Sequence, residues 1–143
     1  MTWDWKVFLQ DDGSGRTYLQ WMFDAWGWTL SVAGASWVVA MIFGALVGTM
    51  RTLPNSPWLV RLANAWVELF RNVPLLVQIF IWYFVIPKIF PAMKDLPSFI
   101  LVVFALGFFT SSRIAEQVRA GIQALPRGQR YAGMAMGFTT AQT

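Results

Sequence analysis

Three long uncharged runs dominate the chain, each closed at its ends by charged residues. Between Asp24 and Arg51 lie 26 residues without a charge, of which Trp28 to Met50 (WTLSVAGASWVVAMIFGALVGTM) form a continuous apolar segment. At about 1.5 Å per helical residue, that segment crosses roughly 30 Å of hydrocarbon and predicts a transmembrane helix. Asn72 to Pro87 (NVPLLVQIFIWYFVIP) is a second run of 16 residues, short for a span by itself. Ala65 to Phe70 extends it backwards, giving an expected helix over about 66–87. Leu96 to Ser112, 17 uncharged residues, continues without a breaker into Arg113 to Ala124. Pro97 suits the first turn of that third helix, expected over about 97–119. The pattern is that of an all-α membrane protein: a polar N-terminal segment over 1–25, three transmembrane helices and a terminal loop over 123–143.

Charge then orients the spans. Loop Arg51 to Asn64 carries Arg51 and Arg61 and no acid, and the stretch from Arg113 adds Arg113, Arg119, Arg127 and Arg130 against Glu116. The N-terminal segment is net negative, with Asp4, Asp11, Asp12 and Asp24 against Lys6 and Arg16, and Lys88 to Asp95 is short and nearly balanced. The positive-inside rule therefore puts the N-terminus outside, the Arg51 loop inside and everything after about Ala120 inside. Trp26, Trp28 and Trp58 suit the interfaces. The N-terminal segment has no charged start followed by a short apolar core, so it reads as mature sequence and not as a cleaved signal.

Composition agrees with the pattern and narrows the chemistry. The chain is 57% hydrophobic and only 13% charged, with nine Trp and twelve Phe among 143 residues, too little polar surface to cover a soluble globule. Its eleven basic residues against seven acids are scattered between apolar blocks and make no basic stripe, which favours a bilayer over nucleic acid. It has no Cys and no His, hence no disulfide framework and no thiolate or imidazole metal site. Without paired intramembrane carboxylates either, catalysis by this chain is not expected.

Several residues stand out against this background. Gly44 and Gly48, with Gly34 earlier, make a small-residue ridge that allows close approach of another helix. Pro74 breaks or kinks the second helix near its inner end, or else begins its buried part. Glu68 and Arg71 share a face nearby. Arg113, Glu116 and Arg119 share one side of the third helix, while Ile114, Val118, Ile122 and Leu125 make an apolar stripe on the other. For Arg113 and Glu116 two readings stand: a substrate path, or snorkelling to the inner headgroups. Snorkelling is the reading favoured for Arg119. After Pro126 a turn leads into Tyr131-Ala132-Gly133-Met134-Ala135-Met136-Gly137-Phe138, a soft, small-residue segment that reads either as a short helix capped at Gly137 or as a poorly ordered tail.

Taken together, three blocks of the chain resemble the permease subunits of polar amino-acid importers of the ATP-binding-cassette (ABC) class. They are Trp28-Thr29-Leu30; Glu68-x-x-Arg71-x-x-Pro74 with the residues through Gln78; and Glu116-Gln117-Val118-Arg119-Ala120-Gly121 leading through Pro126-Arg127-Gly128-Gln129 to Gly137. The last is similar to the "EAA" loop of these permeases. The resemblance covers about Trp26 to Thr143 and implies the front part of a five-span permease domain in a bacterial inner membrane, N-terminus periplasmic. It also implies a second permease subunit, identical or homologous, and a periplasmic solute-binding protein. Residues Ala132, Gly133, Met134, Ala135, Met136, Gly137 and Phe138 would then form the coupling helix that seats in a cytoplasmic ABC ATPase. The chain has no Gly-x-x-x-x-Gly-Lys-Ser/Thr loop, so ATP and Mg would be bound by that partner. Glu68, Arg71, Pro74, Arg119, Gly121, Pro126, Gly128 and Gln129 are the family-motif positions.

Two departures bear on function. Tyr131 stands where the wider family carries a loop glutamate. Arg113 stands where many relatives carry tyrosine, and with its neighbouring motifs it resembles the glutamate/aspartate branch, implying an acidic substrate matched by a guanidinium. The family's loop runs on beyond Gly137 into further spans, so a chain ending at Thr143 is expected to be a truncated one. The alternative is a small membrane scaffold or regulatory protein that binds partners through its basic cytoplasmic end.

Overall fold

A computed structural model describes residues 4–54, 56–139 and 142. Among them the chain is helical apart from short connections and one isolated antiparallel bridge, Asp11 to Thr17. Thr140, Ala141 and Thr143 of the expected terminal loop, Asn55 of the Arg51 loop and Met1 to Trp3 of the N-terminal segment lie outside the described residues.

Helix α1 (Tyr18–Met50, 33 residues) contains the whole first expected span but begins well before it. The early start has a local cause: Thr17 and Gln20 make a capping box, with the Gln20 N–H on Thr17 Oγ1 (3.4 Å) and the Thr17 N–H on Gln20 Oε1 (3.1 Å). That reciprocal pair satisfies two of the donors a helix start leaves orphaned. Before the cap, a 3-10 turn (Trp5–Leu9) and the Asp11 to Gly15 loop fold back on the helix, the Trp21 indole donating to Asp12 Oδ2 at 2.7 Å. Hydrogen bonds from Ser14, and then from Trp21 and Arg16, pull the Asp12 carboxyl down to about 2. Inside α1 the hydroxyls of Thr29, Ser31 and Thr49 each donate to the carbonyl four residues back, whereas the buried Ser36 Oγ makes no hydrogen bond among the described residues.

The second expected span, over about 66–87, is not one straight helix but is broken at Pro74. Residues 66–72 belong to a separate helix, α2 (Pro57–Asn72), and the chain then turns through 103° at Val73-Pro74 into Leu75–Ile89. Proline supplies no N–H and its ring clashes with the carbonyl four residues back, so a helix reaching Pro74 kinks or ends there, and here α2 ends at Asn72. Helix α2 begins at Pro57, so Arg61 and Asn64 are helical and the Arg51 loop is shorter than expected. Beyond the bend come α3 (Leu75–Phe80), a π-helical turn (Ile81–Val85) and α4 (Ile86–Ile89). The third expected span is met by α5 (Ser98–Gln123), with Pro97 just ahead of its first residue. Among the described residues two helices, α1 and α5, are long and apolar enough to cross a membrane, and a third crossing is available if the bent pair counts as one.

Packing centres on the pair α1 and α5. A Cβ added to Gly44 would lie 2.6 Å from Ile114, and one on Gly48 would lie 2.7 Å from Val118. From the other side Gly107 of α5 meets Val39 at 2.6 Å. Three glycines thus let two backbones approach with β-branched side chains filling the notches. Gly34 has nothing within 4 Å of an added Cβ and is not part of this ridge. The apolar stripe of α5 also divides: Ile114 and Val118 pack on α1, whereas Ile122 and Leu125 are exposed. Val47, Ala63, Val67 and Ala115 form the small buried core where α1, α2 and α5 meet.

Because close contact replaces hydrophobic driving force between helices in lipid, Gly44→Leu is expected to destabilise the helix assembly by about 1–3 kcal/mol, in the range of overpacked cores. Gly34→Leu should leave it nearly unchanged. Thermal unfolding in detergent or nanodiscs, compared between the two variants, checks this; equal midpoints would contradict the assigned ridge.

Candidate functional site

The charged residues at the end of the bundle converge on one carboxylate. Arg51 caps the C-terminus of α1, Arg71 lies in the last turn of α2 and Glu116 sits two-thirds of the way along α5. Arg51 Nη1 lies 2.9 Å and Arg71 Nη1 3.4 Å from the same oxygen, Glu116 Oε1. The Arg51 side chain is only 8% exposed, and its Nε donates to Asn64 Oδ1 at 2.7 Å. Its Nη1 is buried and makes no hydrogen bond of good geometry, so the 2.9 Å approach is a charge contact more than a directed bond. A buried guanidinium needs a nearby anion, and Glu116 supplies it. The arrangement ties the ends of α1 and α2 to the middle of α5.

Glu116 and Arg113 therefore have different placements. Glu116 is engaged by Arg51 and Arg71 and is partly exposed. Arg113 is exposed on α5, its guanidinium carbon 4.9 Å from the centre of the Phe109 ring, and it enters none of the ion pairs among the described residues. That geometry leaves its donors available to an anion approaching the open face of α5. Arg119 is half-buried, with its Nε enclosed and without a hydrogen-bond partner. Glu68, three residues before Arg71, is exposed, and Arg71 is drawn to Glu116.

Farther into the bundle the elements are joined by aromatic rings. Phe108 of α5 meets Phe43 of α1 (4.8 Å), Trp66 of α2 (5.0 Å) and Trp82 of the π-helical turn (5.4 Å). The Trp66 indole donates to Ser111 Oγ at 3.2 Å, and that hydroxyl donates to the Phe108 carbonyl at 2.7 Å. Both Ser111 and Ser112 are fully buried. The sequence reading missed Asn64, Trp66 and Ser111; isolated polar atoms within apolar runs were the available signal.

The terminal segment forms α6 (Arg127–Ala135), with the carbonyl of Pro126 accepting from the Gln129 N–H at 3.0 Å. Its end is a Schellman motif: Gly137 N–H reaches Met134 O at 3.0 Å, Phe138 N–H reaches Gly133 O at 3.1 Å, and Gly137 has φ of +89°. Only glycine takes that conformation without strain. Gly133 is buried, whereas Ala132, Ala135, Met134, Met136 and Phe138 are exposed, leaving a soft apolar edge. Added Cβ atoms on Gly121 and Gly128 would meet nothing within 4 Å. Among the described residues, no group of three His, Cys, Asp or Glu side chains is placed to hold a metal.

No family profile matches the chain. Individual proteins do. It is 42% identical over 98% of its length to the glutamate/aspartate import permease protein GltJ of Escherichia coli (strain K12), covering 61% of that protein. It is 40% identical over 72% of its length to the probable glutamine ABC transporter permease protein GlnM of Bacillus subtilis, covering 46% of it. A crystal structure of an amino acid ABC transporter with histidines superposes with a TM-score of 0.63 at 30% identity, over 79% of this chain and 51% of that one. The chain thus spans between about half and three-fifths of the length of these relatives.

Glu116→Gln removes the charge that Arg51 and Arg71 share. With Arg51 almost wholly buried and Glu116 partly solvated, the expected loss of stability is roughly 1–3 kcal/mol, between surface and buried ion pairs. Glu68→Gln, on the exposed face, should cost less than about 0.5 kcal/mol. Unfolding midpoints of the two variants decide it, and an inert Glu116→Gln would contradict the shared-carboxylate arrangement.

Proposed function

The chain is homologous over nearly its whole length to the permease subunits of amino-acid ABC importers, and on that premise we propose that it forms part of a permease carrying acidic amino acids across a bacterial inner membrane. The observation that carries the substrate class is the likeness to a glutamate/aspartate import permease together with Arg113, an exposed guanidinium on the open face of α5. A carboxylate is the group a guanidinium matches with two parallel hydrogen bonds. In this reading the N-terminus is periplasmic, the Arg51 end of the bundle is cytoplasmic, and a periplasmic binding protein presents the amino acid. A second permease subunit supplies the rest of the path; GltK, another glutamate/aspartate import permease protein of Escherichia coli, is itself 28% identical to this chain.

The power stroke is assigned to a separate ATPase. Helix α6, with Met134, Met136 and Phe138 exposed around its glycine cap, is the element that seats in it. Methionine and small residues make an adaptable contact surface, and with Tyr131 exposed at 65% in place of a glutamate, docking rests on shape and backbone more than on a salt bridge. ATP and Mg belong to that partner.

Two experiments test the reading. Gly137→Arg, which forces a side chain onto a residue at φ +89°, should abolish co-purification of the complete permease with its ATPase; a complex that survives would remove α6 from the interface. Arg113→Tyr should lower uptake of radiolabelled aspartate by tenfold or more relative to glutamine, since losing one charge-assisted pair is worth about 1.4 kcal/mol or more. Unchanged aspartate-to-glutamine selectivity would reject Arg113 as the acidic-substrate determinant.

A further inference from the structure

The 103° bend between α2 and α3 leaves a specific atom in need. In an unbroken helix the carbonyl of Phe70 accepts from the N–H of residue 74, four positions on, but that residue is Pro74 and carries none. The structure puts a side chain there instead. Gln78 Nε2 donates to Phe70 O at 2.8 Å and to Val73 O at 2.9 Å. Gln78 is 4% exposed, and its own N–H bonds Pro74 O at 3.1 Å, so the residue is anchored on the far side of the bend while its amide reaches back to the near side. Both hydrogens of the amide are thereby used. Its Oε1 is buried without a partner, so the side chain is held only through what it donates. Around it lies an otherwise apolar crook of about 190 Å³, lined by Leu69, Val73, Ile81, Trp82 and Ile86 among others. A carboxamide in such surroundings, with two backbone acceptors as its only partners, is costly to bury unless those bonds persist.

We propose that Gln78 is the positioning residue of this bend: its amide replaces the N–H that Pro74 lacks and thereby sets the angle between α2 and the helix that follows. Proline ends α2 but does not choose the direction of departure; two donated bonds from one side chain do. The angle matters beyond the bend because α2 carries Arg71 to Glu116 and Trp66 to Ser111. Gln78 acts through those residues, by setting where α2 places them. The inference stands apart from the transport reading, because it concerns an angle and is read without substrate.

The chain has no cysteine, so paired spin labels can be placed cleanly at Leu62→Cys and Ile89→Cys, both on exposed side chains on opposite sides of the bend. Pulsed electron–electron distance measurements on the full chain in lipid nanodiscs should give one narrow distribution for the parent. Gln78→Met, which fills similar space but donates nothing, should broaden it and add a longer-distance population. Adding Pro74→Ala to Gln78→Met returns an N–H to position 74 as a donor for Phe70 O and should restore a single narrow population. A parent-like distribution in Gln78→Met overturns the proposal, since packing alone would then hold the bend. If Gln78→Met does not assemble, the double variant decides: recovery of assembly with a narrow distribution supports the assignment, and failure alongside an intact Pro74→Ala protein overturns it.

Discussion

Close contact between α1 and α5 is the constraint on which the remaining geometry depends. Gly44 and Gly48 open notches for Ile114 and Val118, while Gly107 opens one for Val39, so the two helices fit in both directions. In lipid no water is released when apolar helices meet, and the gain comes from van der Waals contact, which falls off within an ångström of separation. Those contacts fix the register of α5 against α1. Register in turn decides that Ser111, Ser112 and Ala115 face inward and that Arg113 faces out.

From that frame the short helix α2 acquires its position. Several different interactions hold it, among them the Val67 and Ala63 contact with Val47 and Ala115, the Trp66 indole on Ser111, the Arg51 guanidinium on Asn64 and the Arg71 approach to Glu116. Each uses a partner that exists only because α1 and α5 are already in register. The same frame leaves α6 outside the bundle, joined to it through Ala124 to Pro126, with its glycine cap and methionines exposed. The result is a close-packed pair of long helices, a bent element leaning on them and a small exposed helix beyond.

Much of this was readable from residue order alone. Runs of uncharged residues located α1 and α5, because an apolar stretch longer than about 17 residues has few other uses. The capped terminal helix followed from Gly137, and the family from its spaced motifs. The second span was expected over about 66–87 with a break or kink at Pro74; residue order placed that break but could not give the 103° turn that sets Ala65 to Phe70 apart from Leu75 to Val85. Gly34 was grouped with Gly44 and Gly48 by spacing, although spacing cannot say where the partner helix ends. Glu116 was grouped with Arg113 because both lie on one side of a helix, but two neighbouring faces of α5 meet different surroundings.

By itself the sequence determined the membrane setting, the two long helices, the break at Pro74 and the short capped helix before Gly137. These are local properties, decided by side-chain transfer energies and by which backbone groups each residue can supply. Tertiary structure alone decided that Arg51, Arg71 and Glu116 share one oxygen, that Trp66 meets Ser111, and that Gln78 answers the carbonyl Pro74 leaves vacant. Most of those partners lie far apart in the chain, and Gln78 reaches its carbonyls only because the backbone turns at Pro74. Which of them meet depends on helix register and bend angle, and both are set by close packing of surfaces that no single segment contains.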